Sequence, residues 1–171
     1  YEGAKYISYL LTPATVALAI PLYEQVTVLK KNFKAIIAGI VSGVITGLCS
    51  ILAMALIFGF THEQYVTFLP KSITTAIGMG VSEELGGYVS ITVAVIIITG
   101  VLGSVIAEGF LKLFKITDPC AKGIAIGTAS HAVGTSKAME IGKTEGAMSG
   151  LSIVVSGLLT VAGASVFASF L

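Results

Sequence analysis

Three stretches of this chain run without a charged side chain for longer than a bilayer is thick: residues 35–61, 85–107 and 146–171, of 27, 23 and 26 residues. A helix rises about 1.5 Å per residue and the hydrocarbon core is about 30 Å across, so each run can span it with some tilt. Three other runs are shorter, with 18 residues at 6–23, 11 at 72–82 and 14 at 123–136. The last two cannot span unaided and read as broken or re-entrant helices, which survive at membrane depth only inside protein or beside water. With 55% hydrophobic residues, 11% charged and a mean hydropathy of +0.97, the chain is far from a soluble domain, where about 25% of residues are charged. The expected fold is all-α, a polytopic membrane protein of about six apolar helical segments in one domain, residues 1–171.

The long runs share a mark. Ser42-Gly43, Thr99-Gly100 and Ser156-Gly157 recur at a spacing of 57 residues, and Ala19-Ile20-Pro21, Ala76-Ile77-Gly78 and Ala132-Val133-Gly134 precede them at nearly the same step. A unit of short broken helix plus long helix therefore occurs three times, with an inverted relation between first and third copies. The small residues suit close helix packing where lipid removes the apolar driving force. No continuous polar stripe is expected along the long helices, only these isolated pairs.

Net charge is +1 and all ten basic residues are lysines, which excludes a nucleic-acid footprint. Cys49 and Cys120 show no metal-type spacing and read as packing residues. No nucleophile-base-acid set appears, so neither an enzyme nor a cofactor is expected. If all six runs cross, the lysines divide five against five. If the 72–82 run alone turns back, they divide four against six, with Lys30, Lys31, Lys34, Lys112, Lys115 and Lys122 on the cytoplasmic side. Tyr23, Tyr65, Tyr88, Phe33, Phe60 and Phe114 stand near run ends as expected interfacial anchors.

Candidate chemistry lies at the breaks. Thr12-Pro13 resembles a helix start, which would aim free N–H groups at an anion, with Thr15 one turn on; a proline kink is the open alternative. The middle unit gathers Ser72, Thr74 and Thr75 beside Lys71, itself read as an interfacial snorkelling lysine. In the third, Thr128, His131 and Thr135 fall on one helical face, with Ser130, Gly134 and Lys137 on a neighbouring stripe. Ionisable groups inside a membrane are costly, so these twelve residues, Lys71 apart, form the candidate substrate site, with His131 as titrating partner.

The stretches Leu11–Tyr23, Leu69–Thr75 and Gly127–Ala138, with Asp118-Pro119 and Glu145-Gly146-Ala147, closely resemble the LrgB/CidB family along essentially the whole chain. The family usually has Gly at Thr12, Pro at Ala76 and an acid near Gly80, and its members begin with further hydrophobic segments, so one or two helices are expected before Tyr1. The resemblance implies a multi-pass bacterial cytoplasmic-membrane protein, acting with an LrgA/CidA-type small membrane partner and expected to be a homo-oligomer. It implies transport of small monocarboxylates of the pyruvate, glycolate or glycerate class by alternating access at broken helices. The alternative is a holin- or antiholin-like regulator of murein hydrolase activity and cell lysis.

Overall fold

The computed structural model describes Ile20 and residues 23–171, and these are helical with no strand among them. Six helices follow in order: α1 (Val26–Phe58), α2 (His62–Phe68), α3 (Thr75–Glu84), α4 (Val89–Leu113), α5 (Pro119–Ile141) and α6 (Lys143–Ala168). Three of them, α1, α4 and α6, are long and apolar enough to cross a membrane. They are the three long charge-free runs, as run length predicts, and among the described residues they are the helices that qualify as membrane spans.

Local chemistry explains the ends. α1 stops at Gly59, whose φ of 64° makes a left-handed cap and whose N–H bonds back to Ala55. Thr61 and Gln64 then close a reciprocal capping box that starts α2. Asp118 caps α5, accepting from the N–H of Ala121 at 2.8 Å, with Pro119 at the first helical position.

The 14-residue run turns back on itself. α5 is bent at His131, whose φ of 43° and ψ of −135° leave helical space. Residues on both sides of that bend meet the same turn of α6: a Cβ on Gly127 would lie 2.5 Å from the Ser149 carbonyl, and Thr135 Oγ1 lies 2.7 Å from Ser149 Oγ. Further out, Gly123 abuts Met148 and Gly146 abuts Met139. α5 is therefore a hairpin with its tip at His131, and its arms of about a dozen residues reach about 18 Å, half-way through a bilayer.

α2 and α3 form a second hairpin by the same test. Thr92 Oγ1 of α4 lies 2.9 Å from the Thr67 carbonyl on one arm and 2.7 Å from Ser82 Oγ on the other. Its turn, between Leu69 and Thr74, is non-helical. This hairpin opens where α1 and α6 end, since Tyr65 Oη donates to the Phe167 carbonyl at 3.0 Å. The α5 hairpin opens at the opposite end, where α1 and α6 begin and Thr144 meets Gln25 at 3.3 Å. Two hairpins thus enter from opposite ends and meet tip to tip between α1, α4 and α6.

Packing is inside-out relative to a soluble protein. α6 buries Ser149, Ser152, Ser156 and Thr160 and exposes Val154, Leu158 and Val166, as expected where lipid is as apolar as leucine. An apolar cluster of Leu48, Ile51, Tyr65, Leu69 and Ala164 fills the end entered by α2–α3, and Ile36, Ile40 and Met148 pack the other. Tyr65 is fully buried there, so it is not an interfacial anchor, whereas Tyr23, Phe33, Tyr88 and Phe114 are exposed as expected. Cys49 and Cys120 are both free thiols. The first short run, 6–23, lies almost wholly outside the described residues.

Candidate functional site

Where the two tips meet, a cavity of ≈ 340 Å³ opens between α1, the α2–α3 turn and α5. α1 lines it with Ser42, Thr46 and Ser50, spaced by four residues and so stacked on one helical face, with Gly43 and Gly47 beside them. Lys71 and Ser72 come from one tip, Thr128 and Ala129 from the approach to the other. A narrow extension of ≈ 20 Å³ carries Lys71, Ser72 and Thr128 on towards Ser156 and Thr160 of α6. Another cavity, of ≈ 420 Å³, shares Gly43 and Thr128 and runs between α1 and α5 to Asn32 and Asp118.

Lys71 is the charged member of the central cavity. Its ammonium donates to Ser72 Oγ at 2.9 Å, and among the described residues it pairs with no carboxylate. The hydroxyls around it are partly committed: Ser42 donates to Gly39, Ser50 to Gly47 and Thr128 to Ile124, each through its own helix. Each oxygen keeps lone pairs, and rotation of a hydroxyl off its own carbonyl frees a donor. One cation within a ring of exchangeable donors, at mid-membrane depth, is the chemistry that holds a small anion.

His131 works differently. Its Nε2 lies 2.9 Å from the Ile96 carbonyl of α4, and since a carbonyl only accepts, that nitrogen carries the hydrogen. Gly100 makes room, because a Cβ there would lie 2.6 Å from His131 Cε1. The buried imidazole therefore pins the hairpin tip to α4.

Of the candidate residues, Ser72 and Thr128 are brought together in the cavity. Thr12, Pro13 and Thr15 lie outside the described residues. Thr74 is the N-cap of α3 without a side-chain bond and Thr75 its first residue, and neither lines the cavity. The single face expected for Thr128, His131 and Thr135 is broken by the bend: Thr128 turns to α1, His131 to α4 and Thr135 to Ser149 of α6. Ser130 packs directly against Gly103 of α4, beside an apolar cavity between α4 and α5. Gly134 allows the returning arm to pass Ser130 and Ile126, where a Cβ would meet both. Lys137 is no neighbour of the site, being ion-paired to Glu108 at 2.8 Å and Glu140 at 3.1 Å.

Two further expectations are corrected. Lys71 is a tip residue and not an interfacial lysine. The long helices do carry polar stripes, Ser42-Thr46-Ser50 on α1 and Ser149-Ser152-Ser156-Thr160 on α6. Both stripes are visible in the sequence as hydroxyls at helical spacing, rows to which the Ser-Gly pairs belong.

The LrgB-like family matches residues 1–170. The chain belongs to the LrgB-like family. It is 39% identical over 169 residues to the antiholin-like protein LrgB of Bacillus cereus (strain B4264) and to that of Bacillus anthracis (strain CDC 684 / NRRL 3495), covering 99% of this chain and 74% of each relative. No solved structure matches it significantly. For this LrgB-like chain, membrane residence follows from both the family and the three spanning helices.

Proposed function

We propose that the chain is a multi-pass protein of the bacterial cytoplasmic membrane that works as an antiholin-like regulator of cell lysis, with an LrgA/CidA-type membrane protein as partner. The observation that carries this reading is the match of 99% of this chain, at 39% identity, to relatives named antiholin-like. The buried polar row of α6 adds to it, because a protein that governs membrane permeability needs hydroxyls facing inward along a long helix. No chemical step is assigned to the chain. The test is complementation: a bacterial strain deleted for its own LrgB-type gene is given the full-length protein, and its autolysis rate and murein hydrolase activity are measured. Restored slow lysis supports the reading; an autolysis rate equal to the deletion strain, at normal membrane expression, sinks it.

The opposed hairpins favour a second reading, a carrier of small monocarboxylates of the pyruvate, glycolate or glycerate class working by alternating access. A substrate carboxylate would rest on Lys71 with Ser72, Thr128, Ser42 and Thr46 as hydroxyl partners, while rocking of the hairpins exposes the tips to either side. The inverted 57-residue relation and a homo-oligomer belong to this proposal. Uptake of labelled pyruvate, glycolate and glycerate into proteoliposomes, with and without the partner, tests it. Altered lysis in cells with no uptake in vesicles would leave the regulator reading alone.

A further inference from the structure

At the end of the molecule where α4 finishes and α5 starts, a cavity of ≈ 680 Å³ is lined by Glu108, Lys112, Lys115 and Lys122 over a floor that includes Leu111, Ile116 and Ile141. It is separate from the tip cavity, with which it shares no residue. Its one acid is already engaged: Glu108 holds Lys137 at 2.8 Å and Lys112 at 3.7 Å. Lys115 and Lys122 pair with no carboxylate among the described residues.

The lysines are not all explained by helix electrostatics. A lysine near the C-terminal end of α4 is favoured by the helix dipole, which accounts for Lys112. Lys122, in the first turn of α5, stands at the positive end of its helix, where a lysine is disfavoured. Lys115 holds a left-handed φ of 53°, at a helix terminus where glycine is the usual residue. Asp118 already caps that end of α5, so an anion in the cavity would be met by the two ammonium groups.

The lipid side supplies the other half of the argument. Phe110, Leu113 and Phe114, on the last turns of α4 and just beyond, are 51%, 75% and 60% exposed. The Phe110 and Phe114 rings lie with their centroids 4.4 Å apart, at the level where aromatic rings mark the edge of the hydrocarbon. The cavity therefore combines an apolar floor, a lipid-facing flank and a basic rim. We propose that it is a binding site for the headgroup of an anionic phospholipid, with phosphate on Lys115 and Lys122 and acyl chains along the exposed face of α4. A soluble anion would use the rim but gain nothing from the floor or the flank, so the bilayer is the source the site fits.

The test uses the full-length protein purified in mild detergent. Phosphatidylglycerol is expected to raise its melting temperature by about 5–10 °C at saturation, with phosphatidylcholine and inorganic phosphate raising it by less than a third as much. Native mass spectrometry should show retained phosphatidylglycerol. Lys115→Gln/Lys122→Gln should remove both effects, while Lys30→Gln/Lys34→Gln, at the same end of the molecule but outside the cavity, should keep them. An equal shift with phosphatidylcholine, the full shift with phosphate alone, or equal loss in both double variants would overturn the proposal. The comparison of lipids on the unmodified protein stands even if a variant fails to fold.

Discussion

An ammonium group half-way through a bilayer needs a reason, and at Lys71 the surroundings supply one. Its tip is level with Gly43 and Gly47 of α1 and Ser156 of α6, near the middle of both spanning helices. A charge-assisted hydrogen bond is worth about 1.5–3 kcal/mol, so under the carrier reading Lys71→Gln should lower uptake at limiting substrate by about ten- to a hundredfold. Uptake within twofold of the unmodified protein, at equal reconstitution, would remove Lys71 from the site. His131 carries a different expectation. Its ring is spent on the Ile96 carbonyl and its backbone sits in a region that costs about 1–3 kcal/mol for a non-glycine residue. His131→Ala should therefore act on the fold, losing about 2–3 kcal/mol through the broken bond and the emptied ring volume. The melting temperature should fall by about 4–10 °C. His131→Gln keeps a donor for Ile96, so the pH profile of uptake should be unchanged. A flattened profile in that variant would restore the titrating role that composition alone suggests for the histidine.

Elements explain which parts of this architecture are legible in the chain and which are not. The three spanning helices follow directly from run length, because a helix crosses a bilayer only where about 20 consecutive residues are apolar. That the 14- and 11-residue runs are too short to span on their own is legible from the same ruler. What run length cannot reveal is direction. Whether a broken helix continues or returns is decided by one residue's backbone, and His131 is not a residue type that announces a positive φ. Helical periodicity carried across that bend puts Thr128, His131 and Thr135 on one face, whereas the turn sends them to α1, α4 and α6. The Ser/Thr-Gly pairs illustrate the same limit. They read correctly as sites of close approach, but what approaches is a hairpin: Thr128 at Gly43, His131 at Gly100 and Ile77 at Gly157. Glycine at such a contact is testable. Gly127→Ala would press its Cβ to 2.5 Å from the Ser149 carbonyl, backbone that cannot step aside, while Gly47 has nothing within 4 Å of an added Cβ. Gly127→Ala should cost about 1–3 kcal/mol and Gly47→Ala almost nothing, measured by thermal melting in detergent. Equal melting temperatures for the two would mean that the α5 arm and α6 are not in contact at Gly127.

At the scale of the whole molecule, the two hairpins change the charge map. With α2–α3 and α5 both turning back, α1, α4 and α6 are the only described segments that cross from end to end. Lys30, Lys31, Lys34, Lys112, Lys115, Lys122, Lys137 and Lys143 then all belong to the end where α1 and α6 begin. The opposite end carries His62, Glu63, Glu83 and Glu84 and, among the described residues, no lysine. Counting six crossings, or five, divides the ten lysines of the whole sequence five against five or four against six, so the orientation signal is hidden until the hairpins are known. Positive residues in short loops stay on the cytoplasmic side, so the orientation predicted for the proposed cytoplasmic-membrane protein has the lysine-rich end, the mouth of the α5 hairpin and the basic cavity facing the cytoplasm. In a Cys49→Ala/Cys120→Ala background, Thr117→Cys and Lys143→Cys flank the α5 hairpin, and Glu63→Cys and Glu84→Cys flank the other. A membrane-impermeant maleimide added to intact cells should label the second pair and reach the first only after permeabilisation. Labelling of Thr117→Cys and Lys143→Cys from opposite sides would mean that α5 crosses the membrane. Labelling of the first pair alone from outside would keep both hairpins and invert the protein.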